Sequence, residues 1–275
     1  MSQKKPKLGQ NFLRDARAAE RIVQALGDLT GRVVAEIGPG HGAITAMLAA
    51  KAAHVVAIEI DRQLAGELRQ RFSAERVTVV EQDVLEFDFR AAAKKAGMRL
   101  RVAGNLPYYI TSPILLHLAA SHEAVETAVL MVQREVAERA TAQPGTREYG
   151  VLAVTVQAHG PAEALFTLPP AAFSPPPEVY SAVIRWRPAP RFAELGVEAG
   201  PFLRFVRAAF AQKRKTLANN LRAAGIAAPA AAAAMGEAGV DRQARAEALT
   251  IEALAALWRR LVLGGAVPGM GPAPR

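Results

Sequence analysis

The sequence predicts an α/β protein with a doubly wound, mostly parallel sheet and a small all-α domain after it. Three observations carry this. Five β-rich runs alternate with helical stretches between residues 33 and 140, the pattern of parallel strands joined by helical crossovers. Two later runs, ALFTL (164–168) and VYSAVIRW (179–186), have no helix between them and read as an antiparallel hairpin at one sheet edge. After a change of composition at 188–200 (PAPRFAELGVEAG), short helical stretches follow without a strand.

Taken in order, Ala18, Ile22, Val23 and Leu26 recur at helical spacing and place a helix over 15–29. VVAEI (33–37) is the first strand, followed by the helical ITAMLAAKA (44–52). HVVAIE (54–59) and DRQLAGELRQRF (61–72) form the next strand–helix pair, and RVTVVE (76–81) the third strand. LRVAGN (100–105) precedes a helix near Pro113–Ser121, and TAVLMVQ (127–133) precedes the helical REVAERA. YGVLAVTVQAH (149–159) is ambiguous, because its β-branched residues favour a strand while its length suits a helix. Helices are expected at 201–223, 229–238, 241–246 and 250–263. The Ala-rich 227–239 suits a helix, since Ala is the best helix former. The expected domains are therefore 1–190, a linker at 191–200, a helical domain at 201–264 and a flexible tail at 265–275.

Composition excludes several chemistries. The 275 residues contain no Cys, which removes disulfides, thiolate zinc sites, iron–sulfur clusters and a thiolate nucleophile. The five His (41, 54, 117, 122, 159) form no HxH or HExxH pattern, so no metal site is expected. No apolar run reaches the roughly 18 residues of a membrane span, and the basic N-terminus lacks a hydrophobic signal core, so a cytoplasmic protein with no membrane partner is expected.

The net charge of +9 is concentrated. Residues 1–22 hold six cations (Lys4, Lys5, Lys7, Arg14, Arg17, Arg21) and two acids. Residues 201–222 hold six cations (Arg204, Arg207, Lys213, Arg214, Lys215, Arg222) and no acid. The remaining 231 residues together net −1. Two concentrated segments point to a polyanion partner, most often nucleic acid; the plain alternative is a solvated helix face. Phe202, Val206, Phe210, Leu217 and Leu221 follow helical spacing and should face inward. On a continuous helix Lys213, Arg214 and Lys215 then occupy successive 100° steps, which turns at least one of them outward.

EIGPGHG (36–42) lies directly after the first strand and before a helix. Gly38, Gly40 and Gly42 let the backbone pass close to a ligand and turn sharply into that helix. The spacing is GxGxG, which differs from the dinucleotide GxGxxG. Glu59 ends the second strand, 17 residues beyond Gly42, where a carboxylate can accept both hydroxyls of a ribose. Asp83, after the third strand, could accept from an adenine amine; its alternative is a loop or helix-capping carboxylate. The three strand ends suit S-adenosylmethionine, with NAD as the rival.

NLPYYITSP (105–113) directly follows the fourth strand. The exocyclic amine of adenine is a poor nucleophile because its lone pair is delocalised into the ring. The Asn105 side-chain oxygen and a backbone carbonyl near Leu106 could both accept hydrogen bonds from that amine and favour a more tetrahedral nitrogen. Pro107 stiffens the turn, and Tyr108 offers a ring for the base to stack on. No general base is needed before such a transfer, in keeping with the absence of a suitable His.

With these motifs in place, the sequence resembles the rRNA adenine N6,N6-dimethyltransferases of the KsgA (RsmA) type over most of its length. The landmarks are KPKLGQNFL (5–13), EIGPGHGAIT (36–45), VVAIEID (55–61), EQDV (81–84) and NLPYYITSPIL (105–115). They continue with VQREVAER…PG…YG (132–150), FSPPPEVYSAVIR (173–185) and FAQKRKTLANNL (210–221). The resemblance implies a Rossmann-like methyltransferase fold with a seven-stranded sheet and an RNA-binding helical C-terminal domain. It also implies dimethylation of two adjacent adenosines in the 3′-terminal hairpin of small-subunit (16S) rRNA, on the 30S subunit or its precursor, by a monomer.

Residue by residue, it assigns Gln10, Asn11 and Leu13 to a lid over S-adenosylmethionine. Gly38 and its neighbours take the methionine end, Glu59 with Ile60 the ribose, and Asp83 with Val84 the adenine. Asn105 to Tyr108 form the target-adenine site, with Asn105 also touching the cofactor, and Phe173 is a second aromatic sandwiching the base. For Phe173 the alternative is core packing. Tyr109 departs from the residue usual at its position and receives no role. The four Asn, at 11, 105, 219 and 220, all fall in the matched segments, which favours their use. Three rivals remain: a methyltransferase acting on a large-subunit rRNA adenine, an idle RNA-binding assembly factor, and a DNA adenine methyltransferase. FSPPPEVYSAVIR and FAQKRKTLANNL favour the small-subunit enzyme over the first, and the intact NLPY and glycine loop argue against the second.

Overall fold

The computed structural model describes residues 11–267. By its contacts the chain forms two compact units: Met1–Glu138 with Pro161–Ala189, and Arg139–Gly160 with Pro190–Arg275.

In the first unit β1 (Phe12–Leu13) leads into α1 (Ala16–Ala25). Then β2 (Val33–Ile37), α2 (Thr45–Lys51), β3 (His54–Glu59), α3 (Arg62–Arg71), β4 (Val77–Glu81) and α4 (Phe89–Ala96) alternate. β5 (Leu100–Asn105), α5 (Thr111–Ala120) and β6 (Val125–Gln133) continue the pattern. The division between the units falls within α6 (Arg134–Thr141), and α7 (Val151–Ala158) belongs to the second unit. The first unit resumes with β7 (Ala162–Leu168), β8 (Phe173–Ser174) and β9 (Ser181–Trp186).

The main sheet has seven strands in the order β4-β3-β2-β5-β6-β9-β7. The first five are parallel, while β9 runs antiparallel to both β6 and β7. The expected edge hairpin is present, with its second strand inserted between the first and β6. Aspartates at sequence-legible positions start the crossover helices: the Asp15, Asp61 and Asp88 side chains accept backbone N–H groups at the N-termini of α1, α3 and α4. α4 was not expected from the sequence, although Asp88 before it and Gly97 (φ 67°) after it are ordinary start and stop residues. β1 and β8 form a separate two-stranded antiparallel sheet, with Leu13 opposite Phe173. Two residues per strand are too few for any periodicity to show.

The second unit adds α8 (Ala199–Ala209), α9 (Leu217–Ala223), α10 (Ala228–Glu237) and α11 (Ile251–Leu263). One ambiguity is settled and four expectations are corrected here. The ambiguous 149–159 is helical over α7, where Leu152, Ala153, Val154, Thr155, Val156 and Ala158 are all buried, so no one-sided apolar period marks it. Because this helix supplies Ala153, Val154 and Ala158 to the core built with α8 and α11, residues 139–160 group with the C-terminal helices and 1–190 is not one undivided block. The expected linker 191–200 is packed: Phe192 and Leu195 are in that core, and the Arg191 guanidinium bridges Glu194 at 3.1 Å and Glu252 at 2.6 Å. The expected helix 201–223 is interrupted at 210–216. Buried Asn220 causes the break, its amide donating to the Ala209 and Gln212 carbonyls and accepting from the Gln212 N–H. Thr216 then caps α9. At 241–246 Asp241 accepts the Gln243 N–H in a turn, and only a 3-10 turn forms at Ala246–Ala248. Of the expected tail, residues 268–275 lie outside the described residues.

Candidate active site

The strand order itself locates a crevice. From β2 the chain steps outward through β3 and β4, then returns to the other side of β2 as β5, which makes the carboxyl ends of β2 and β5 a topological switch point. Ile37 of β2 is in register with Gly104 of β5, so the loops that follow these strands emerge side by side. Closeness is enforced by Gly104, where a Cβ would stand 2.7 Å from the Ile37 carbonyl oxygen. A cleft opens there. Its lining brings together Asn11, Gly38, Gly40, Glu59, Ile60, Asp83 and Val84 with the whole Asn105–Tyr108 segment.

The glycine loop is built for close approach. Gly40 has φ +56°, and a Cβ on it would stand 2.8 Å from the Phe12 ring. Its N–H donates to Glu59 Oε2 at 3.1 Å, while the Asp61 N–H donates to Oε1 at 3.0 Å. The Glu59 carboxylate is thus pinned at the end of β3 by one backbone donor on each oxygen, and burial pushes its pKa upward. Asp83 Oδ1 accepts the Leu85 N–H at 2.9 Å, so it makes the local turn expected of a loop carboxylate and also lines the cleft. Ile37, Ile58, Ile60 and Val84 supply apolar wall. Two carboxylates beside such a wall supply hydrogen-bond acceptors, which fits the nucleoside end of S-adenosylmethionine, whose ribose hydroxyls and adenine amine are donors.

On the β5 side the Asn105 amide nitrogen donates to the Asn11 carbonyl at 2.7 Å. That contact fixes the amide plane and leaves Oδ1 as the acceptor at the cleft. Leu106 is buried and its N–H is held by the Met131 carbonyl at 2.9 Å. The Pro107 carbonyl accepts from the Ile110 N–H at 3.2 Å and from Thr111 Oγ1 at 3.0 Å, which locks the turn. The Tyr108 hydroxyl and Ser181 Oγ are 2.6 Å apart, joining this turn to the start of β9. Burial raises the Tyr108 pKa, so the ring stays neutral.

Three expected residues are placed differently. Phe173 does not line the cleft; it is 3% exposed, in the apolar core with Leu13, and the alternative of core packing describes it. Leu13 likewise is buried, holding β1 against β8 so that Asn11 and Phe12 reach the cleft. Gly42 closes the loop against α3, where a Cβ would stand 3.1 Å from Leu68 and Phe72. Gln10 and the lysines 4, 5 and 7 lie outside the described residues. The sequence reading missed Phe12, whose ring covers the glycine loop, and Ser181, the partner of Tyr108. It also gave no role to Glu36, which is 1% exposed with Oε2 lacking a hydrogen-bond partner and its pKa raised by burial to about 7. Each lies within a motif that was noticed, but no residue-level signal singled it out.

In the second unit Arg204, Arg207, Lys213, Arg214, Lys215 and Arg222 are all exposed. Lys213, Arg214 and Lys215 stand in the turn between α8 and α9, so the helical 100° argument does not apply to them. The Lys213 ammonium contacts the Arg147 carbonyl, and Arg222 donates to Asn219 Oδ1 at 3.2 Å. Among the described residues no helix is long and apolar enough to cross a membrane.

The chain was compared with known proteins. The family model described as ribosomal RNA adenine dimethylase matches residues 1–261. A protein of Acidobacterium capsulatum named ribosomal RNA small subunit methyltransferase A is 59% identical over 258 residues, covering 94% of this chain and 91% of that one. One of the same name from Koribacter versatilis is 47% identical, covering 95% of each. Among solved structures, the 23S rRNA methyltransferase ErmE has a TM-score of 0.70 at 28% identity, over 92% of this chain and 100% of that one. A dimethyladenosine transferase from Plasmodium falciparum has a TM-score of 0.75 at 22% identity, over 93% and 98% respectively, and shares the fold.

Proposed function

Because the chain belongs to the ribosomal RNA adenine dimethylase family, we propose that it dimethylates the N6 amines of two adjacent adenosines in the 3′-terminal hairpin of 16S rRNA. S-adenosylmethionine supplies an activated methyl group on its sulfonium. The substrate is the 30S subunit or a precursor of it, and the enzyme works as a monomer in the cytoplasm.

The observation that carries this reading is the hydrogen-bonded Asn105 amide lining the same cleft as Glu59 and Asp83. Glu59 and Asp83 hold the nucleoside end of the methyl donor. Asn105 Oδ1 would accept a hydrogen bond from the target amine and turn its lone pair out of conjugation toward the methyl. Formation of the N–C bond would accompany breakage of the sulfonium S–C bond to leave a thioether, and the methylated amine would then lose its extra proton to water. Preorganised acceptors of this kind lower the barrier because they need no reorganisation during reaction. Tyr108 stacks on the flipped base, which a neutral ring does without a desolvation penalty for charge. The exposed cations at 204–222 meet RNA phosphates.

Labelled S-adenosylmethionine incubated in parallel with unmethylated small subunits, free rRNA, large subunits and DNA tests the proposal. Label should enter small-subunit rRNA, two methyls on each of two adenosines. Label confined to large-subunit rRNA or to DNA would overturn it. The relatives that cover nearly the whole chain at 59% and 47% identity carry the small-subunit name, which supports this choice over the large subunit.

A further inference from the structure

Among the described residues, six large apolar side chains stand exposed: Ile60, Tyr109, Val179, Tyr180, Val262 and Leu263. Scattered exposed apolar residues need no explanation, whereas a group of them at one place marks a recognition surface. Two of the six, Ile60 and Tyr109, line the cleft, and two more, Val179 and Tyr180, directly precede Ser181, whose Oγ lies 2.6 Å from the hydroxyl of the cleft residue Tyr108. Tyr109 follows one partner of that hydrogen bond and Tyr180 precedes the other. The bond therefore ties together the two turns that carry these exposed rings, 60% and 48% accessible, and the first of them lines the cleft.

Tyr180 is held in place. Its carbonyl accepts the Arg134 N–H at 3.0 Å, and the Arg134 guanidinium lies 5.5 Å from its ring centroid. The local charges are not basic: Arg134 pairs with Glu138 at 3.5 Å, and two further acids, Glu135 and Glu178, are exposed nearby in sequence. This rim therefore does not gather phosphates by net charge. What it offers is ring faces, continuous with a cleft that receives an adenine. The partner chemistry that fits is the unstacked bases of a single strand, which lie on aromatic side chains and on Arg planes.

We propose that Tyr180 and Tyr109 are stacking platforms for the nucleotides flanking the target adenosine, holding open the strand from which that base is turned out. The inference rests on the functional reading above. It gives a role to Tyr109, for which the family resemblance supplied none. It also makes these two side chains specificity determinants for an unpaired substrate, because a base inside a duplex has no free face to give them.

The test uses the full chain and unmethylated small subunits, with Ala, Leu, Phe and Trp placed in turn at 180 and at 109. Base–aromatic stacking predicts a roughly tenfold or greater rise in KM for RNA with Ala. Leu, apolar but without a ring, should be as poor as Ala, and Phe or Trp should restore KM to near wild type. The Tyr180→Ala variant should bind S-adenosylmethionine by calorimetry as the wild type does. In a short hairpin RNA carrying 2-aminopurine beside the target, wild type should quench the fluorophore and the Ala variants should not. Unchanged KM and quenching in both Ala variants would overturn the inference, as would Leu restoring what Ala loses. A concentration-dependent increase in sedimentation that the Tyr180→Ala variant abolishes would assign the rim to a protein partner and overturn it too. Wild-type enzyme that leaves small subunits unmethylated would overturn the functional reading and this inference together, so the two failures are told apart.

Discussion

Asn105 does two jobs with one amide. Its nitrogen donates to the Asn11 carbonyl at 2.7 Å, and its oxygen remains an acceptor on a residue that lines the cleft. Truncation removes an acceptor acting on the amine in the transition state, so Asn105→Ala should lower turnover by about two to three orders of magnitude, with RNA affinity little changed. Single-turnover methyl transfer beside RNA binding measures both, and a near wild-type rate would contradict the mechanism. Glu36 makes a different prediction. Its carboxyl is buried in β2, and its pKa is raised from 4.5 to about 7, chiefly by desolvation, with the nearby Glu59 charge adding to it. The folded protein thus retains a proton that the unfolded chain releases. Its contribution is fully favourable below about pH 4.5 and is lost as pH rises through about 7. Stability of wild type relative to Glu36→Gln should fall across that window by up to a few kcal/mol and then level off. Urea unfolding of both proteins from pH 4 to 8 would show it, and a pH-independent difference would mean that folding leaves the Glu36 pKa unchanged.

The loop after β2 works because Gly40 sits at φ +56° under the Phe12 ring. Gly40→Ala adds left-handed strain of about 1–2 kcal/mol and drives a methyl into that ring. It should cost at least tenfold in S-adenosylmethionine affinity by calorimetry; unchanged affinity would mean the loop does not form the cofactor floor. The turn between α8 and α9 carries its own test. Replacing Lys213, Arg214 and Lys215 together by Ala should shrink the salt slope of RNA binding by about one to two units. Three contacts are the ceiling, and the Lys213 ammonium already leans on the Arg147 carbonyl. An unchanged slope in folded protein would make these three a solvated surface. The element scale also shows where sequence patterns were sufficient and where they were not. α1 and α3 began where Asp15 and Asp61 stand, since the side chain satisfies backbone donors locally, whereas α4 was not expected although Asp88 caps it in the same way.

Across the whole molecule the two units have separate apolar cores. That of the second unit centres on Phe202, Phe205 and Trp258, with the Phe205 and Trp258 ring centroids 5.3 Å apart. Phe205 is fully buried, so Phe205→Ala should cost about 3–5 kcal/mol in the helical unit. Limited proteolysis should then cut preferentially within 190–263 while S-adenosylmethionine affinity in the first unit holds. Loss of cofactor binding in step with proteolysis would show that the units unfold as one.

By itself the sequence determined the parallel sheet, the loop between β2 and α2, the Glu59 and Asp83 strand ends and the NLPY turn. These are local features, in which short runs of consecutive apolar residues, capping side chains and backbone freedom at glycine act over a few neighbouring residues. Tertiary structure decided the rest, for reasons that residues near in sequence do not carry. A helix buried on every side, such as α7, shows no amphipathic period, so only its packing against α8 and α11 made it a helix. The break at 210–216 depends on the Asn220 amide reaching back to Ala209 and Gln212, a contact that exists only once both helices are formed. Whether Phe173 faces a ligand or the core was equally open in sequence. It was settled by its pairing with Leu13, some 160 residues earlier, because burial is a property of what folds over a side chain and not of the side chain alone.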